Sequence, residues 1–383
     1  MRTVYTAKQL WDGTRLHGES MIVVEDGRIV SIQSREAELP LGSRQHHFPD
    51  AILAPAFLDV HIHGAAGHDI MEATPEALGT IGKFLASHGT GVFLATTVSA
   101  PVDATLRSLS GLAKLIAKRA APGEAKAVGI HLEGPFLSHI RRGAHPADRL
   151  LAPDISIFDR MYEAAEGWVR LITLAPELPG AAELAAHAAS RGVRVSVGHS
   201  DATGDQTRRA IASGATSATH TYNAMRPLDH RSTGILDTVL TTDELYAELI
   251  CDGIHNTREM VRLWWRAKGP ERAILVTDAM SATGMPEGEY QLGGFPVQVA
   301  GGKAMVNGVL AGSVLTLDRA LENFLEFTGA TVEQGLGLMT ANPVAMTGLE
   351  AMAGSLGVGG QADFVAVDWK GKLVGSVVGG VAP

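Results

Sequence analysis

The sequence predicts an α/β protein: a (β/α)₈ barrel of the TIM type, with a small β-sandwich formed by the two ends of the chain. The middle of the chain alternates roughly eight times between short apolar runs and helical segments, as this barrel does. The apolar runs are continuous, which is typical of parallel strands covered on both faces. Both ends are rich in short strands, yet neither end alone has enough of them to cover an apolar face. We therefore expect a small domain from residues 1–52 and 345–383, and a barrel over residues 53–344.

Local signals predict the individual elements of both domains. Asp26-Gly27 lies between two apolar runs and predicts a β-hairpin, because glycine supplies the positive φ of a tight turn. Short C-terminal strands are predicted at 362–368 and 373–378. Barrel strands are predicted at 56–64, 91–97, 127–135, 169–174, 193–199, 217–221, 246–253 and 272–278. Helices are predicted at 75–87, 102–119, 180–191, 204–213, 257–267 and 314–327, with one more before residue 169.

One segment interrupts the alternation. Residues 285–311 contain, at 296–306, two short apolar runs around Gly301-Gly302, which predicts a β-hairpin insertion after the last barrel strand. A doubly wound open sheet is the structural alternative to the barrel. The barrel is favoured because polar residues end many different strands, and a barrel gathers such strand ends into one ring.

The composition is that of an ordinary globular protein and argues against several partners. Of 383 residues, 45% are hydrophobic and 19% are charged. The net charge of −9 argues against a nucleic-acid-binding surface, which needs clustered Lys and Arg. We find no apolar signal core and no stretch apolar enough to span a bilayer, so we expect no membrane association. The single cysteine, Cys251, permits no internal disulfide and suits a cytoplasmic protein.

The first predicted barrel strand ends in His61-Ile62-His63. Residues two apart on a strand point to the same side, so both imidazoles should point to one place beyond the strand end. Imidazole is the commonest metal-ligating side chain. A lone His-x-His is nevertheless more often a pair of hydrogen-bonded core histidines, so the pair needs support from the rest of the chain.

That support comes from later strands, which also end in polar residues: Glu133, His199, His220 and Asp278. Each of these has an ordinary structural explanation when taken alone, such as a capping carboxylate or a hydrogen-bonded core histidine. Barrels carry their active sites at these strand ends. Nitrogen and oxygen ligands without sulfur suit Zn²⁺ or another divalent ion. Together they predict a metal site.

A hydrolytic mechanism follows from such a site. A bound divalent ion lowers the pKa of water toward ~7 and polarises a carbonyl oxygen. Amide cleavage also needs a group that takes the proton of the water and returns it to the leaving nitrogen. We assign this role to Asp278, the one member of the set that is neither a histidine nor the bridging Glu133.

Eight short stretches carry a resemblance to known proteins. They are Pro55–Gly64, His131–Phe136, Arg142–His145, Gly198–Ser200, Thr219–Met225, Asp252–His255, Thr277–Met280 and Leu310–Ser313. In these stretches the chain resembles the amidohydrolase superfamily, and within it the N-acetylglucosamine-6-phosphate deacetylases. The most specific signal is His-Leu-Glu-Gly-Pro-Phe followed later by His-x-x-Asn-Ala-Met, whereas His-x-His marks only the superfamily.

The resemblance implies a homodimer that hydrolyses the N-acetyl amide of N-acetyl-D-glucosamine 6-phosphate in amino-sugar catabolism, giving D-glucosamine 6-phosphate and acetate. It implies a principal metal held by Glu133, His199 and His220. Members that have the histidine pair, as here, hold a second metal with His61 and His63, completed by Glu133 and Asp278. We therefore expect one or two divalent ions per subunit, with Zn²⁺ as the expected metal.

The resemblance also implies a set of substrate contacts. His145 is expected to orient or polarise the acetyl carbonyl, and is therefore a second catalytic candidate. The expected contacts of the sugar and its phosphate are Asn223, Ala224, Arg231, His255, Ala311 and Gly312, with Arg231 reaching across a dimer. The ordinary alternative for His145 is a loop histidine before Pro146. The ordinary alternative for Arg231 is a solvated surface charge, with the nearby Arg226 as the substitute that binds the phosphate.

Three alternative functions remain open. Ser138–Arg141 departs from the run expected after Pro-Phe-Leu, which leaves the epimeric substrate N-acetylgalactosamine 6-phosphate as an alternative. An acyl-amino-acid hydrolase of the same superfamily is a more distant one, and the predicted phosphate contacts argue against it. A non-catalytic binding protein on the same barrel is the third, although such chains usually lose the ligands that this one keeps.

Overall fold

The centre of the molecule is a closed parallel β-barrel. The computed structural model describes residues 2–118 and 120–382. Eight parallel strands pair in the order of the sequence. They are β1 (Phe57–Ile62), β2 (Thr90–Thr97), β3 (Lys126–Glu133), β4 (Val169–Leu174), β5 (Arg194–Val197), β6 (Ala215–Ala218), β7 (Tyr246–Ile250) and β8 (Ala273–Val276).

Hydrogen bonds just beyond β8 close the barrel onto β1. The backbone N–H of Asp278 donates to the carbonyl of His61 at 2.8 Å, and the N–H of His63 donates to the carbonyl of Ala279 at 2.8 Å. Beneath them, the Thr277 hydroxyl donates to the buried carboxylate of Asp59 at 2.5 Å. The predicted barrel is therefore confirmed, and the alternative of an open doubly wound sheet is wrong.

Helices cover the outside of the barrel. They are α1 (Pro75–Ser87), α2 (Val102–Ile116), α3 (Ile155–Ala164), α4 (Ala181–Ser190), α5 (Gly204–Ala212), α6 (Ile235–Thr241), α7 (Arg258–Arg272), α8 (Leu317–Thr328), α9 (Val332–Gly337) and α10 (Ala341–Thr347), with 3₁₀ turns at Ile70–Glu72 and Ala147–Arg149. The start and end of α1 agree with the prediction. The predicted end of α2, Arg119, lies outside the described residues. Within those residues, no helix is long and apolar enough to cross a membrane.

Both ends of the chain contribute to one seven-stranded sheet beside the barrel. Its strands are Arg2–Trp11, Leu16–His17, Ser20–Glu25, Arg28–Ser34, Arg44–Pro55, Phe364–Asp368 and Leu373–Val377. The predicted hairpin is present at Asp26-Gly27, where both residues have positive φ. Strand Phe364–Asp368 pairs with Arg44–Pro55, so the two ends of the chain share one apolar core. The small β domain built from both ends is confirmed.

The insertion after β8 lies within the predicted bounds but contains more strands than the predicted hairpin. The hairpin with its turn at Gly301-Gly302 is present, but it belongs to a four-stranded antiparallel sheet. The strands of this sheet are Gly288–Leu292, Phe295–Ala300, Lys303–Val306 and Val309–Leu310. Its apolar face packs on Val98 and Met280, near the C-terminal ends of β2 and β8. The insertion therefore lies beside the strand ends that carry the predicted site.

We expect Thr277→Val to lower the free energy of unfolding of the metal-free protein by about 1–3 kcal/mol, because it leaves a buried oxygen of Asp59 without its donor. Chemical unfolding followed by circular dichroism measures this change. Thr277→Ser is the control, because serine keeps the hydroxyl. A valine variant as stable as the wild type would contradict a role for this contact in closing the barrel.

Candidate metal centre and active site

The six predicted metal ligands meet in one cluster at the C-terminal end of the barrel. His61 and His63 belong to β1 and its end, Glu133 ends β3, and His199, His220 and Asp278 follow β5, β6 and β8. Each of the six is at most 8% exposed. Distant parts of the sequence therefore supply one compact set of nitrogen and oxygen donors.

Glu133 lies at the middle of this cluster. Its Oε1 is 3.1 Å from Nε2 of His199 and 3.1 Å from Nε2 of His220. Its Oε2 is 3.1 Å from Nε2 of His63, and His61 Nε2 lies 3.4 Å from Oε1. The carboxylate thus faces two groups of imidazoles at once, which is the geometry of a bridging ligand.

Asp278 completes the side of the cluster formed by the histidine pair. Its Oδ1 lies 3.2 Å from Nε2 of His63 and 3.5 Å from Nε2 of His61. The side chain also borders the open cavity above the barrel. Asp278 can therefore contact both the donor cluster and a molecule that enters the cavity.

Strained backbone directs three of these side chains inward. His199, His220 and Asp278 have φ values of 47°, 29° and 51°. Residues other than glycine rarely adopt this left-handed backbone conformation, and each one that does costs on the order of 1–3 kcal/mol. Strain of this kind is typical of functional sites, where the surrounding structure holds it in place.

Glycine at 134 allows a further histidine to join the cluster. His145 Nε2 lies 3.3 Å from Oε2 of Glu133, and its Nδ1 lies 2.9 Å from Oγ of Ser99. Gly134 has φ of 88°, and a Cβ there would lie 2.3 Å from that same Ser99 oxygen. Only glycine therefore leaves room for the serine that orients His145.

The donor set fits a bound cation. The Nε2 atoms of His199 and His220 are 3.0 Å apart, and those of His61 and His63 are 3.3 Å apart. The Nδ1 of His199 faces the carbonyl of Arg141 at 3.1 Å, which places the proton of the ring there and turns the Nε2 lone pair inward. Nitrogen atoms at these distances repel one another unless a proton or a metal cation lies between them. The residues therefore suit one or two divalent ions held by nitrogen and oxygen.

Electrostatics in the cluster favour the same conclusion. Burial alone would raise the pKa of Glu133, but His61 and hydrogen bonds from neighbouring histidines hold this pKa well below its usual value. Burial lowers the pKa of His199 to about 4, so this ring is neutral at pH 7. The carboxylates of Asp278 and Glu133 overcome burial and raise the pKa of His63 to about 9. The site thus attracts positive charge, and binding a metal would release protons from it.

A cavity of about 600 Å³ opens above the cluster. Several predicted substrate contacts line it: His145, Asn223, Ala224, His255 and Gly312. Arg141 and Arg142 line it as well. Arg141 is paired with Asp201 at 2.9 Å, so the positive charge at the mouth comes from the exposed Arg142. Ala311 is fully buried and does not line the cavity. Arg231 lies in an exposed loop and is not among the lining residues of the single chain.

Comparison with known families agrees with this geometry. The amidohydrolase family model matches residues 52–381, which include the barrel and every member of the donor cluster. The chain belongs to the amidohydrolase family. It is therefore a hydrolase of a metal-dependent family, as predicted from the sequence.

Several amidohydrolases similar to this chain are deacetylases of phosphorylated amino sugars. N-acetylglucosamine-6-phosphate deacetylase of Lysinibacillus sphaericus is 39% identical over 347 residues, which cover 90% of this chain and 88% of the relative. N-acetylgalactosamine-6-phosphate deacetylase of Escherichia coli O157:H7 is 37% identical over 340 residues, which cover 88% and 86%. Among solved structures, an Asp-to-Ala mutant of the Mycobacterium smegmatis N-acetyl-D-glucosamine-6-phosphate deacetylase, in complex with N-acetyl-D-glucosamine-6-phosphate, has a TM-score of 0.92 at 33% identity, covering 100% of this chain and 99% of that one.

Three residues of this amidohydrolase site were not predicted from the sequence. Ser99 orients His145, Arg142 lines the cavity, and Glu248 lies behind His61. Glu248 left a signal, since it is a carboxylate in the middle of the short strand Tyr246–Ile250, which is otherwise mostly apolar. Ser99 left none, because serine is an ordinary loop residue, whereas Arg142 begins the matched stretch Arg142–His145 but was assigned no role there.

We expect Glu133→Gln to weaken metal binding by more than about 100-fold. Substitutions of residues that only support a ligand cost up to about 100-fold in metal affinity, and Glu133 is itself an expected ligand. The amide keeps the shape but removes the charge that both imidazole groups face. Elemental analysis after equilibration with buffered Zn²⁺ measures this. Glu124→Gln is the control, because Glu124 lies before β3, at the opposite end of that strand. A Glu133→Gln variant that keeps wild-type metal content would exclude Glu133 as the bridging ligand.

Proposed function

We propose that the chain hydrolyses the N-acetyl amide of N-acetyl-D-glucosamine 6-phosphate, giving D-glucosamine 6-phosphate and acetate, in cytoplasmic amino-sugar catabolism. We propose Zn²⁺ as its metal, with one or two ions per subunit. The observation that carries the proposal is the placement of Glu133 among inward-facing imidazoles, at the floor of a cavity with a basic mouth. The named relatives and the predicted substrate contacts around that cavity support the choice of substrate.

The residues of the chain divide the chemistry between them. A bound divalent ion would lower the pKa of water and polarise the acetyl carbonyl. Asp278 borders both the donor cluster and the cavity, so it is placed to take a proton from the attacking water and return it to the leaving nitrogen. His145 lies beside Glu133, has its ring oriented by Ser99 and lines the cavity, and we assign it the role of polarising the acetyl carbonyl.

The phosphate of the substrate would lie at the mouth of the cavity, away from the donor cluster. His255 lines the cavity, and its Nδ1 is held 2.7 Å from Oδ2 of Asp252, which fixes the direction of the ring. Asn223 and Ala224 lie three and four residues after His220 and line the same cavity. Arg142 adds a guanidinium group, and this group suits the geometry of phosphate.

We further propose that the protein is a homodimer in which Arg231 reaches the cavity of the other subunit. The side chain is exposed in its own chain and forms no ion pair within residues 2–118 and 120–382. A guanidinium on an exposed loop is free to contact a phosphate in a neighbouring subunit. The division of the chain into residues 1–52 with 345–383, and 53–344, remains part of the same proposal.

We expect Asp278→Asn to lower kcat for deacetylation by about 10²–10⁴-fold, the usual contribution of a general acid or base. The variant should keep the ion held by Glu133, His199 and His220, because these ligands are unchanged. Stopped acetate-release assays and elemental analysis on the same samples measure both quantities. Asp318→Asn, outside the cavity, is the control. Near-normal kcat in Asp278→Asn would exclude this residue as the group that carries the proton.

We expect the highest kcat/KM for N-acetyl-D-glucosamine 6-phosphate among three substrates tested side by side. The sugar without its phosphate should lose about 10²-fold or more, because polar groups built for phosphate would be left unpaired. N-acetylgalactosamine 6-phosphate is the third substrate, chosen because one similar protein bears its name. A higher kcat/KM for that epimer would replace the proposed substrate. Absence of any deacetylation by the Zn²⁺-loaded protein would favour the non-catalytic alternative.

A further inference from the structure

Glu248 is a buried carboxylate that none of the chemistry above uses. It lies in the middle of β7 and its side chain is fully buried. Its Oε2 lies 3.3 Å from Nδ1 of His61 and accepts a hydrogen bond from the backbone N–H of His220 at 3.3 Å. Its Oε1 has no hydrogen-bond partner among the described residues. The position therefore needs an explanation other than packing.

Burial makes this carboxylate costly. A buried ion costs several kcal/mol unless a partner of opposite charge and further hydrogen bonds compensate it. Across residues 2–118 and 120–382, no lysine or arginine pairs with Glu248, and the imidazole of His61 is its only ion-pair partner. A leucine or valine would suit the interior of a barrel strand better. The contact with His61 is thus the main interaction that the side chain gains.

The ring of His61 joins Glu248 to the donor cluster. Its Nδ1 faces Glu248, while its Nε2 faces Glu133, His63 and Asp278. A carboxylate at Nδ1 keeps the proton of the ring on that side, which leaves the Nε2 lone pair directed toward the cluster. His63 has no such support, because its Nδ1 lacks a partner in the described part of the chain. The orientation of the histidine pair therefore depends on His61.

We propose that Glu248 is a positioning residue for a second metal position, which it creates by orienting His61 toward His63 and Asp278. Carboxylates that support a ligating histidine in this way typically change metal affinity by 10–100-fold. Both contacts are made to Oε2, so the oxygen of glutamine can keep them, and the substitution removes only the negative charge that holds the ring proton of His61 on Nδ1. Glu248→Gln should therefore spare the position held by Glu133, His199 and His220. This inference rests on the metal-binding part of the proposed function and on no particular substrate.

The test is a metal titration of the full chain. Metal-free wild type and Glu248→Gln are titrated with Zn²⁺ in a chelator-buffered series, and ions bound per subunit are counted. Co²⁺ absorption reports the coordination of each ion, and thermal unfolding without metal reports general stability. Asp363→Asn is the control, because it removes a largely buried carboxylate from the terminal sheet. His61→Asn, alone and combined with Glu248→Gln, tests whether Glu248 acts through His61.

We expect two ions in the wild type, and in Glu248→Gln one ion held as before and one held about 10–100-fold more weakly. Adding Glu248→Gln to His61→Asn should change metal affinity no further. The proposal is overturned by unchanged binding of both ions in Glu248→Gln, by a saturated wild type holding one ion, or by equal weakening of both ions together with lower metal-free stability. Failure of the proposed function would instead appear as metal-loaded wild type that releases no acetate.

Discussion

The attraction between one buried carboxylate and the imidazoles around it organises the catalytic end of this molecule. Glu133 is 3% exposed, yet it has contacts of 3.4 Å or less with His61, His63, His145, His199 and His220. A charge in such a place would be unfavourable without partners. The imidazoles, in turn, approach one another closely enough that they need an anion or a cation among them. The strained residues after β5, β6 and β8 persist because this cluster holds their side chains.

The barrel beneath the cluster is built to support it. Instead of an all-apolar layer, the interior contains a chain of hydrogen bonds from His131 to Thr173, from Thr173 to Thr219, and from Thr219 to Ser196. These side chains come from β3, β4 and β5 and from the residue after β6. These links of 2.7–2.8 Å join β3 to β4, β4 to the end of β6, and the end of β6 to β5. Such a satisfied polar network fixes the relative heights of strand ends more closely than interchangeable apolar side chains would.

Much of the fold and the donor set could be predicted because strand periodicity and strand order carry directional information. The His-x-His spacing places His61 and His63 on one side of β1, and the end of β3 places Glu133 opposite them. The left-handed backbone at His199 and His220 could not be predicted, because no glycine marks it. Helix α6 was missed because its seven residues are too few for a clear helical period.

Other misses have different physical causes. Glu248 was overlooked because a carboxylate in a five-residue strand also fits a solvent-facing position, and only the closed barrel shows that it points inward. The hairpin of the insertion was recognised from its Gly-Gly turn, whereas its two outer strands were not. One of these is only two residues long, and the other, Gly288–Leu292, has only two apolar side chains, Tyr290 and Leu292. Arg231 was expected at the phosphate, but it lies in an exposed loop and does not line the cavity of its own chain.

The four-stranded insertion has a consequence for how this enzyme can diversify. It contributes Leu292, Val309 and Leu310 to the wall of the cavity, yet it supplies none of the side chains in the donor cluster. Substitutions in the insertion can therefore change the shape of the cavity around a sugar while the donor cluster stays intact. The molecule separates the part that breaks the bond from a part that selects the molecule to be broken, and selection can change through one short, replaceable stretch of the chain.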